Sequence, residues 1–119
     1  MASLRLSQAA EDDIIDILAW SQAQFGEAAR RRYQRLIATA LRDIASDPAG
    51  PGSVARPELG GGVRSRHLRS SREAARGIDG GVARPRHFVI YREVAGQIVV
   101  GRVLHDAMEL ARHLPSASR

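Results

Sequence analysis

The chain has 119 residues, 44% of them hydrophobic, no cysteine and a formal net charge of +5. That supplies one core and is short for two, so a single domain over residues 1–119 is expected; disulfides, thiol catalysis and cysteine-ligated zinc are excluded. No apolar run approaches the ~20 residues of a bilayer span, and the first residues carry no apolar signal-peptide core, so the expectation is a cytoplasmic protein with no membrane association.

Leu4-Arg5-Leu6 alternates, as a short edge strand does. Ser7 is a good helix N-cap. Glu11, Asp12 and Asp13 follow where the helix dipole favours anions. Ile14, Ile17, Leu18 and Phe25 then lie along one helical stripe, and Trp20 and Phe25 are assigned to the packing of this helix. Gly26 stops it with a left-handed cap. A second helix is expected over about Glu27 to Ala45. Ala29, Tyr33, Leu36, Ile37, Ala40, Leu41 and Ile44 hold helical spacing, and Asp47-Pro48 ends the run. Burying Leu36, Ile37, Leu41 and Ile44 contributes roughly 6–12 kcal/mol as an upper bound. The very short link makes the two helices an antiparallel hairpin. Glu27 pairs with Arg31 at i+4, and the other arginines of this helix form a solvated face.

Residues 49 to 62 are rich in Gly and Pro and read as a loop. Val63 to Leu68 reads as a strand, and Ser70 to Pro85 as a mobile, arginine-rich excursion. Phe88 to Arg92 and Ile98 to His105 form a hairpin about Ala95-Gly96. Phe88 and Ile90 face one side of it, and Val89 and Tyr91 the other. A short final helix is expected from Ala107 to Leu114, stopped by Pro115, with Asp106 as its N-cap. The order is β-α-α-β-β-β-α, an α+β domain: an N-terminal helical hairpin on one face of a small twisted, mainly antiparallel sheet.

Every basic residue is arginine, since lysine is absent. Schiff-base lysine chemistry is therefore impossible, and each cation is a planar, permanently charged fork. Residues 56 to 92 hold nine arginines against three acids, a net of +6, while the remainder is at −1. Such a segment attracts nucleic acid or an acidic protein. The spacings of His67, His87, His105 and His113 match no zinc motif, and no cofactor motif is present. Tyr91 and Phe88 are placed to stack a base, but aromatics make up only 4% of the chain, too few for a single-strand platform. His105 at the strand end suits a structural role as well as a functional one.

Several segments, in order, resemble the ParE toxins of the RelE/ParE superfamily of bacterial toxin–antitoxin systems. They are Leu-Ser-Gln-Ala-Ala-Glu-Asp-Asp at 6–13, Phe-Gly-Glu-Ala at 25–28, Arg-Tyr at 32–33 and Asp-Pro at 47–48. Arg-Pro-Glu-Leu-Gly-Gly-Gly-Val-Arg-Ser at 56–65, Phe-Val-Ile-Tyr-Arg at 88–92 and Arg-Val-Leu-His-Asp-Ala-Met-Glu at 102–109 continue the series. The segment from Arg66 to Arg84 is longer than the compact ParE pattern. The resemblance implies the same fold, a cognate ParD-like antitoxin with an acidic C-terminal segment, and contact with operator DNA only through that antitoxin. It implies plasmid stabilisation and poisoning of DNA gyrase for the ParE branch. For the RelE branch it implies messenger RNA cleavage in the ribosome, with a basic residue after the last strand and a tyrosine in the closing helix. Here the corresponding rim reads His105-Asp106, no tyrosine follows Tyr91, and Asp106 repels phosphate.

The reading is a gyrase-inhibiting toxin that is not a catalyst. Target contact is placed at Arg64, Arg69, Arg102, His105, Asp106 and Met108 with the final helix. Antitoxin contact is placed at Arg64, Arg66, Arg69, Arg86, Tyr91 and Arg92, through bidentate arginine–carboxylate pairs and burial in an apolar groove. A ribosome-dependent mRNA endonuclease and a non-toxic nucleic-acid-binding module are the alternatives.

Overall fold

A computed structural model describes residues 2–108. Strand β1 (Ser3–Leu6) leads through Ser7 into helix α1 (Gln8–Phe25), and Gly26 alone separates it from helix α2 (Glu27–Ser46). Ser7 Oγ accepts the Ala10 N–H at 3.0 Å, the N-cap that the sequence announces. Gly26 lies at φ 95°, ψ 174°, outside the left-handed helical region and in a region only glycine reaches easily. Its N–H closes α1 on the Gln22 carbonyl, while its carbonyl accepts the Arg30 N–H and opens α2. One residue serves both helices, which forces the antiparallel hairpin.

Three more strands and a fifth complete the sheet: β2 (Ser53–Ala55), β3 (Arg64–His67), β4 (His87–Val94) and β5 (Gln97–His105). The order across it is β1-β5-β4-β3-β2, with β1 parallel to β5 and the other pairs antiparallel. β2 and a 3-10 turn at Pro57–Leu59 lie inside the stretch expected to be loop. Three residues without apolar alternation carry no strand signal of their own, and pairing with β3 makes them one.

Helices α1 and α2 cover one face. Leu36, Ile37, Ala40 and Ile44 of α2 pack on Val89, Tyr91, Ile98, Val100 and Val103. On the other face Phe88, Ile90 and Leu104 form a smaller cluster closed by Leu59 and Val63. The alternation along β4 is thus as expected, and the 3-10 turn gives the far face its lid. Trp20 and Phe25 depart from expectation, being 57% and 69% exposed. At 100° per residue, Trp20 points about 60° away from Ile17, off the edge of the stripe.

The excursion between β3 and β4 is pinned to α2. Arg35 Nε donates to the Ala75 carbonyl at 2.7 Å, and its Nη2 donates to Asp79 Oδ1 at 2.7 Å and to the Gly80 carbonyl at 3.0 Å. Ala75 is buried in the main core. The helix expected from Ala107 lies largely outside the described residues. Up to Met108 the chain is turn, and the Ala107 N–H donates to His105 Nδ1 at 3.0 Å.

Strand β5 changes phase beside Gly101: Tyr91 pairs with Val100, but Ile90 pairs with Arg102. This bulge turns backbone groups toward α1. Ser7 Oγ donates to the Gly101 carbonyl at 2.8 Å, and Asp13 Oδ2 accepts the Val103 N–H at 2.9 Å. The same carboxylate takes Arg102 Nε at 2.7 Å and Nη2 at 2.9 Å. Arg102 is therefore a fold residue. Arg102→Glu, which sets two carboxylates together, is expected to cost about 2–3 kcal/mol, since the pair is only partly buried; a urea midpoint equal to wild type overturns this assignment. The β4–β5 turn yields a second expectation. Ala95 and Gly96 sit at φ 52° and 80°, as a type I′ turn requires. Ala95→Asn should raise stability by about 0.5–1 kcal/mol, by replacing an alanine in a conformation it resists; an unchanged or lower unfolding midpoint counts against that account.

Candidate functional site

The end of the sheet where β3 and β5 finish and β4 begins gathers the titratable side chains. His87 and His105 are paired residues on the helix face, their rings 5.2 Å apart and edge to face. Tyr33 of α2 reaches down to them. Its hydroxyl accepts the Arg86 backbone N–H at 3.2 Å and lies 2.6 Å from His87 Nδ1. The Tyr33 hydroxyl and His87 Nδ1 share this hydrogen bond, its donor set by the His87 tautomer. Burial pushes the Tyr33 hydroxyl up to about 12. Burial, then the neighbouring His105, lowers His87 from 6.5 to about 4, so its ring is neutral at physiological pH.

Asp106 holds this rim together. Arg86 donates Nη2 at 2.9 Å and Nε at 3.1 Å to Oδ1. His67 Nδ1 accepts the Arg69 N–H, so its Nε2 is the donor to Asp106 Oδ2 at 3.0 Å. The Arg86 guanidinium and the His67 ring together pull the Asp106 carboxyl down to about 2. The carboxylate is thus ionised and already satisfied on both oxygens.

Beside the rim opens a groove of about 930 Å³. α1 supplies Ile17, Trp20 and Phe25 to it, and α2 supplies Ala29 and Tyr33. Residues 81 to 87 form the opposite wall, with Val82, Arg84 and Arg86, and Met108 closes the end near His105. The Trp20 and Phe25 rings meet edge to face at 5.7 Å, presenting aromatic surface to solvent.

The residues that the sequence singled out separate into three groups. Arg69, Arg86, His105, Asp106 and Met108 come together at this rim. Arg64 and Arg92 lie toward the other end of the sheet, where Arg64 Nε donates to Ser53 Oγ at 2.6 Å. Arg66 and Tyr91 are turned inward, contrary to the surface roles assigned to them, and the partly exposed Arg102 is tied to Asp13. The Arg66 guanidinium is buried, donating to Ser71 Oγ, to the Pro51 and Ser70 carbonyls and to Asp43 Oδ2. The reason is geometric: β3 pairing sets Arg66 beside Val89 on the helix face, under the end of α2. Tyr91 is 2% exposed, and its hydroxyl donates to the Pro48 carbonyl at 2.6 Å. Phe88, offered as a base stack, is buried in the far-face cluster.

Residues 4–110 match the family model described as ParE toxin of type II toxin-antitoxin system, parDE. The chain belongs to the ParE toxin family. Among solved structures it is similar to a chain of the chromosomal ParDE toxin–antitoxin system from P. aeruginosa. The TM-score there is 0.63 at 17% identity, with 88% of this chain and 96% of the other covered. A chain of the E. coli DinJ-YafQ toxin–antitoxin complex gives a TM-score of 0.48 at 13% identity, covering 89% and 93%. No curated protein matches the sequence. The α+β arrangement of two helices on a five-stranded sheet is the fold of that P. aeruginosa ParDE chain.

In this ParE-family chain, sequence reasoning missed Tyr33, His87, Trp20, Phe25, Val82 and Arg84. Tyr33 fits the α2 stripe so well that nothing marked it as more than core. Trp20 did carry a signal, since it falls off the apolar stripe of α1. Among the described residues no group of three or more His, Asp or Glu side chains is arranged to hold a metal ion, and no helix is long and apolar enough to cross a membrane.

The depressed His87 basicity has a consequence for stability. The unfolded ring takes up a proton below about 6.5, while the folded ring resists until about 4. Its contribution is complete above that window and is lost as pH falls through it, amounting to roughly 2–3 kcal/mol after allowance for its solvent-exposed edge. Asp106, His67, His105 and Arg86 are the charged or titratable groups facing it. Urea unfolding between pH 6.5 and 4 should therefore weaken more steeply for wild type than for His87→Gln; parallel slopes refute the assignment.

Proposed function

We propose that this protein is a growth-inhibiting toxin that acts by occupying its target rather than by cutting it, that the target is DNA gyrase, and that an acidic antitoxin segment holds it in check. The family supplies the toxin reading: its model is that of type II toxin–antitoxin systems. The observation that carries the non-catalytic part is the employment of the arginines. RNA cleavage needs cations aimed at the phosphate and a group to take or give protons. Here Arg102 is spent on Asp13, Arg66 on Asp43 and its neighbours, and Arg86 on Asp106. The rim carries an ionised carboxylate, which repels phosphate, and Tyr33 is too weak an acid to serve as a base near neutrality.

Target contact then falls on Arg69, Arg86, His105, Asp106 and Met108, which share the rim. Arg64 and Arg92 suit the antitoxin, at the other end of the sheet. The grouping of His67, His87 and His105 near Tyr33 is the feature that favours the second reading, an mRNA endonuclease, because histidines are the usual proton carriers of such chemistry.

Purified protein should abolish supercoiling by gyrase or trap cleaved DNA, and induction in a bacterium should stop DNA synthesis before translation. Arg69→Glu, at an exposed turn, should leave the fold intact and weaken inhibition roughly tenfold or more. Cut transcripts with an immediate stop in translation, and gyrase untouched, would establish the endonuclease reading instead.

A further inference from the structure

We propose that the turn at the tip of the excursion, residues 77–80, is a wedge for duplex DNA, with Ile78 entering a base step from the minor groove and the guanidiniums of Arg32 and Arg76 on flanking phosphates. The inference goes beyond the gyrase reading, and it concerns the segment by which this chain exceeds the compact ParE pattern. Ile78 is 110% exposed, more than any other large hydrophobic side chain among the described residues. The turn that carries it is tightly held. The Gly77 N–H donates to the Gly80 carbonyl at 3.0 Å, and the Gly80 N–H donates back to the Gly77 carbonyl at 2.9 Å. From α2, Arg35 grips Asp79 and the Gly80 carbonyl. A Cβ on Gly77 would stand 2.9 Å from Arg35 Cζ, so glycine lets the guanidinium lie against the turn. The apolar tip is thus held out at a fixed place, which reduces the ordering cost of gripping it.

Area and charge choose the partner. Ile78 has Gly77, Asp79 and Gly80 for neighbours in the turn, so the tip offers a single apolar side chain. A stable protein interface buries about 800 Å² on each partner, and a lipid surface needs more than one weak anchor. A base step takes one aliphatic wedge, and phosphate contacts supply the affinity. Residues 68–86 contain no Phe, Tyr or Trp, which argues against a stacking platform for single strands. Among the described residues, the side chains of Arg32 and Arg76 make no hydrogen bond or ion pair. Arg76 lies along the turn, its Cγ 3.3 Å from where a Gly81 Cβ would stand. Asp79 is the carboxylate of the tip. Arg35 hydrogen-bonds it and holds it below the usual carboxylate range, with Arg32 adding to the pull, so its charge is offset. Residues 72 to 84 together with Arg32 and Arg35 hold five arginines against Glu73 and Asp79, a net of +3. Such a contact reads phosphate and groove shape rather than base edges.

The probe is a fluorescein-labelled duplex of about 20 base pairs with a central TA step, which kinks easily. It is titrated with the full-length protein between roughly 50 and 200 mM salt. Arg76→Gln should weaken binding and reduce the slope of log affinity against log salt by about one. Ile78→Ser should weaken binding roughly fivefold or more and leave that slope unchanged, since it removes the wedge and no phosphate contact. Both side chains are exposed, so neither change disturbs the core. A duplex with 2-aminopurine at the TA step should brighten on binding wild type, as the step unstacks, and stay dim with Ile78→Ser. Absence of duplex binding overturns the proposal. So does binding that Ile78→Ser leaves intact, the mark of a polyanion held by charge alone, and so does a step that stays stacked. Tighter binding to vesicles of phosphatidylserine and phosphatidylcholine than to the duplex, lost in Ile78→Ser, would make the tip a membrane anchor and likewise sink it. The titration contains no gyrase, so its result stands whether or not the gyrase reading does.

Discussion

Asp13 stands where the sheet changes phase, and the arrangement of the rim depends on it. Along β5, Ile98 and Val100 face the helices. Unbroken alternation would next send residues 102 and 104 the same way. The bulge intervenes, and residues 103 and 105 face the helices instead. A bulge leaves ladder groups unpaired, and an unpaired buried N–H costs about 1–3 kcal/mol. Asp13 accepts the Val103 N–H and Ser7 takes the Gly101 carbonyl, so the opening turns of α1 satisfy what β5 cannot. The phase change brings His105 against His87 and under Tyr33. Without it, that histidine would point to the far face.

A second constraint follows from arginine being the only strong cation. A guanidinium presents five N–H donors in a plane, enough to gather several carbonyl and carboxylate groups at once. The fold uses it in this way twice. Arg66 ties the end of α2 to the link before β2 and to the turn after β3. At Gly52, which lies at φ 91°, an added Cβ would stand 2.9 Å from Arg66 Nη1, so glycine is what lets the chain pass over the buried guanidinium. Arg35 fastens the long excursion to α2 in the same manner. The positive middle of the chain is therefore partly internal scaffolding, and less of it faces a partner than its charge suggests.

The pinned excursion also shapes the surface. Residues 81 to 84 stand opposite the hairpin because Arg35 and the buried Ala75 hold the loop down beside α2. The far wall of the groove thus rests on a guanidinium clasp, while the near wall rests on a helix that outruns its own core. Rim and groove meet at Arg86 and His105, which belong to both.

Much of the fold was legible in local signals. Ser7 followed by acids, the helical stripe of α2, the break at Gly26 and the alternation of Phe88 to Tyr91 each act over a few residues, so the sequence by itself settled the helical hairpin and the central strands. The run of family motifs likewise settled kinship. β2 was not legible, because its strand character comes from β3 alongside it. The site was legible only in part. Arg69, Arg86, His105, Asp106 and Met108 were named and do come together; Arg66 and Tyr91 were named and point inward, and Arg102 was named and is held by Asp13. Tyr33 and His87 lie 54 residues apart, and no local pattern links them. Helical and strand periods report which side of an element is apolar. Which buried acceptor an arginine will find, and on which face a strand emerges from a bulge, depends on contacts between distant segments, and these only the tertiary structure decided.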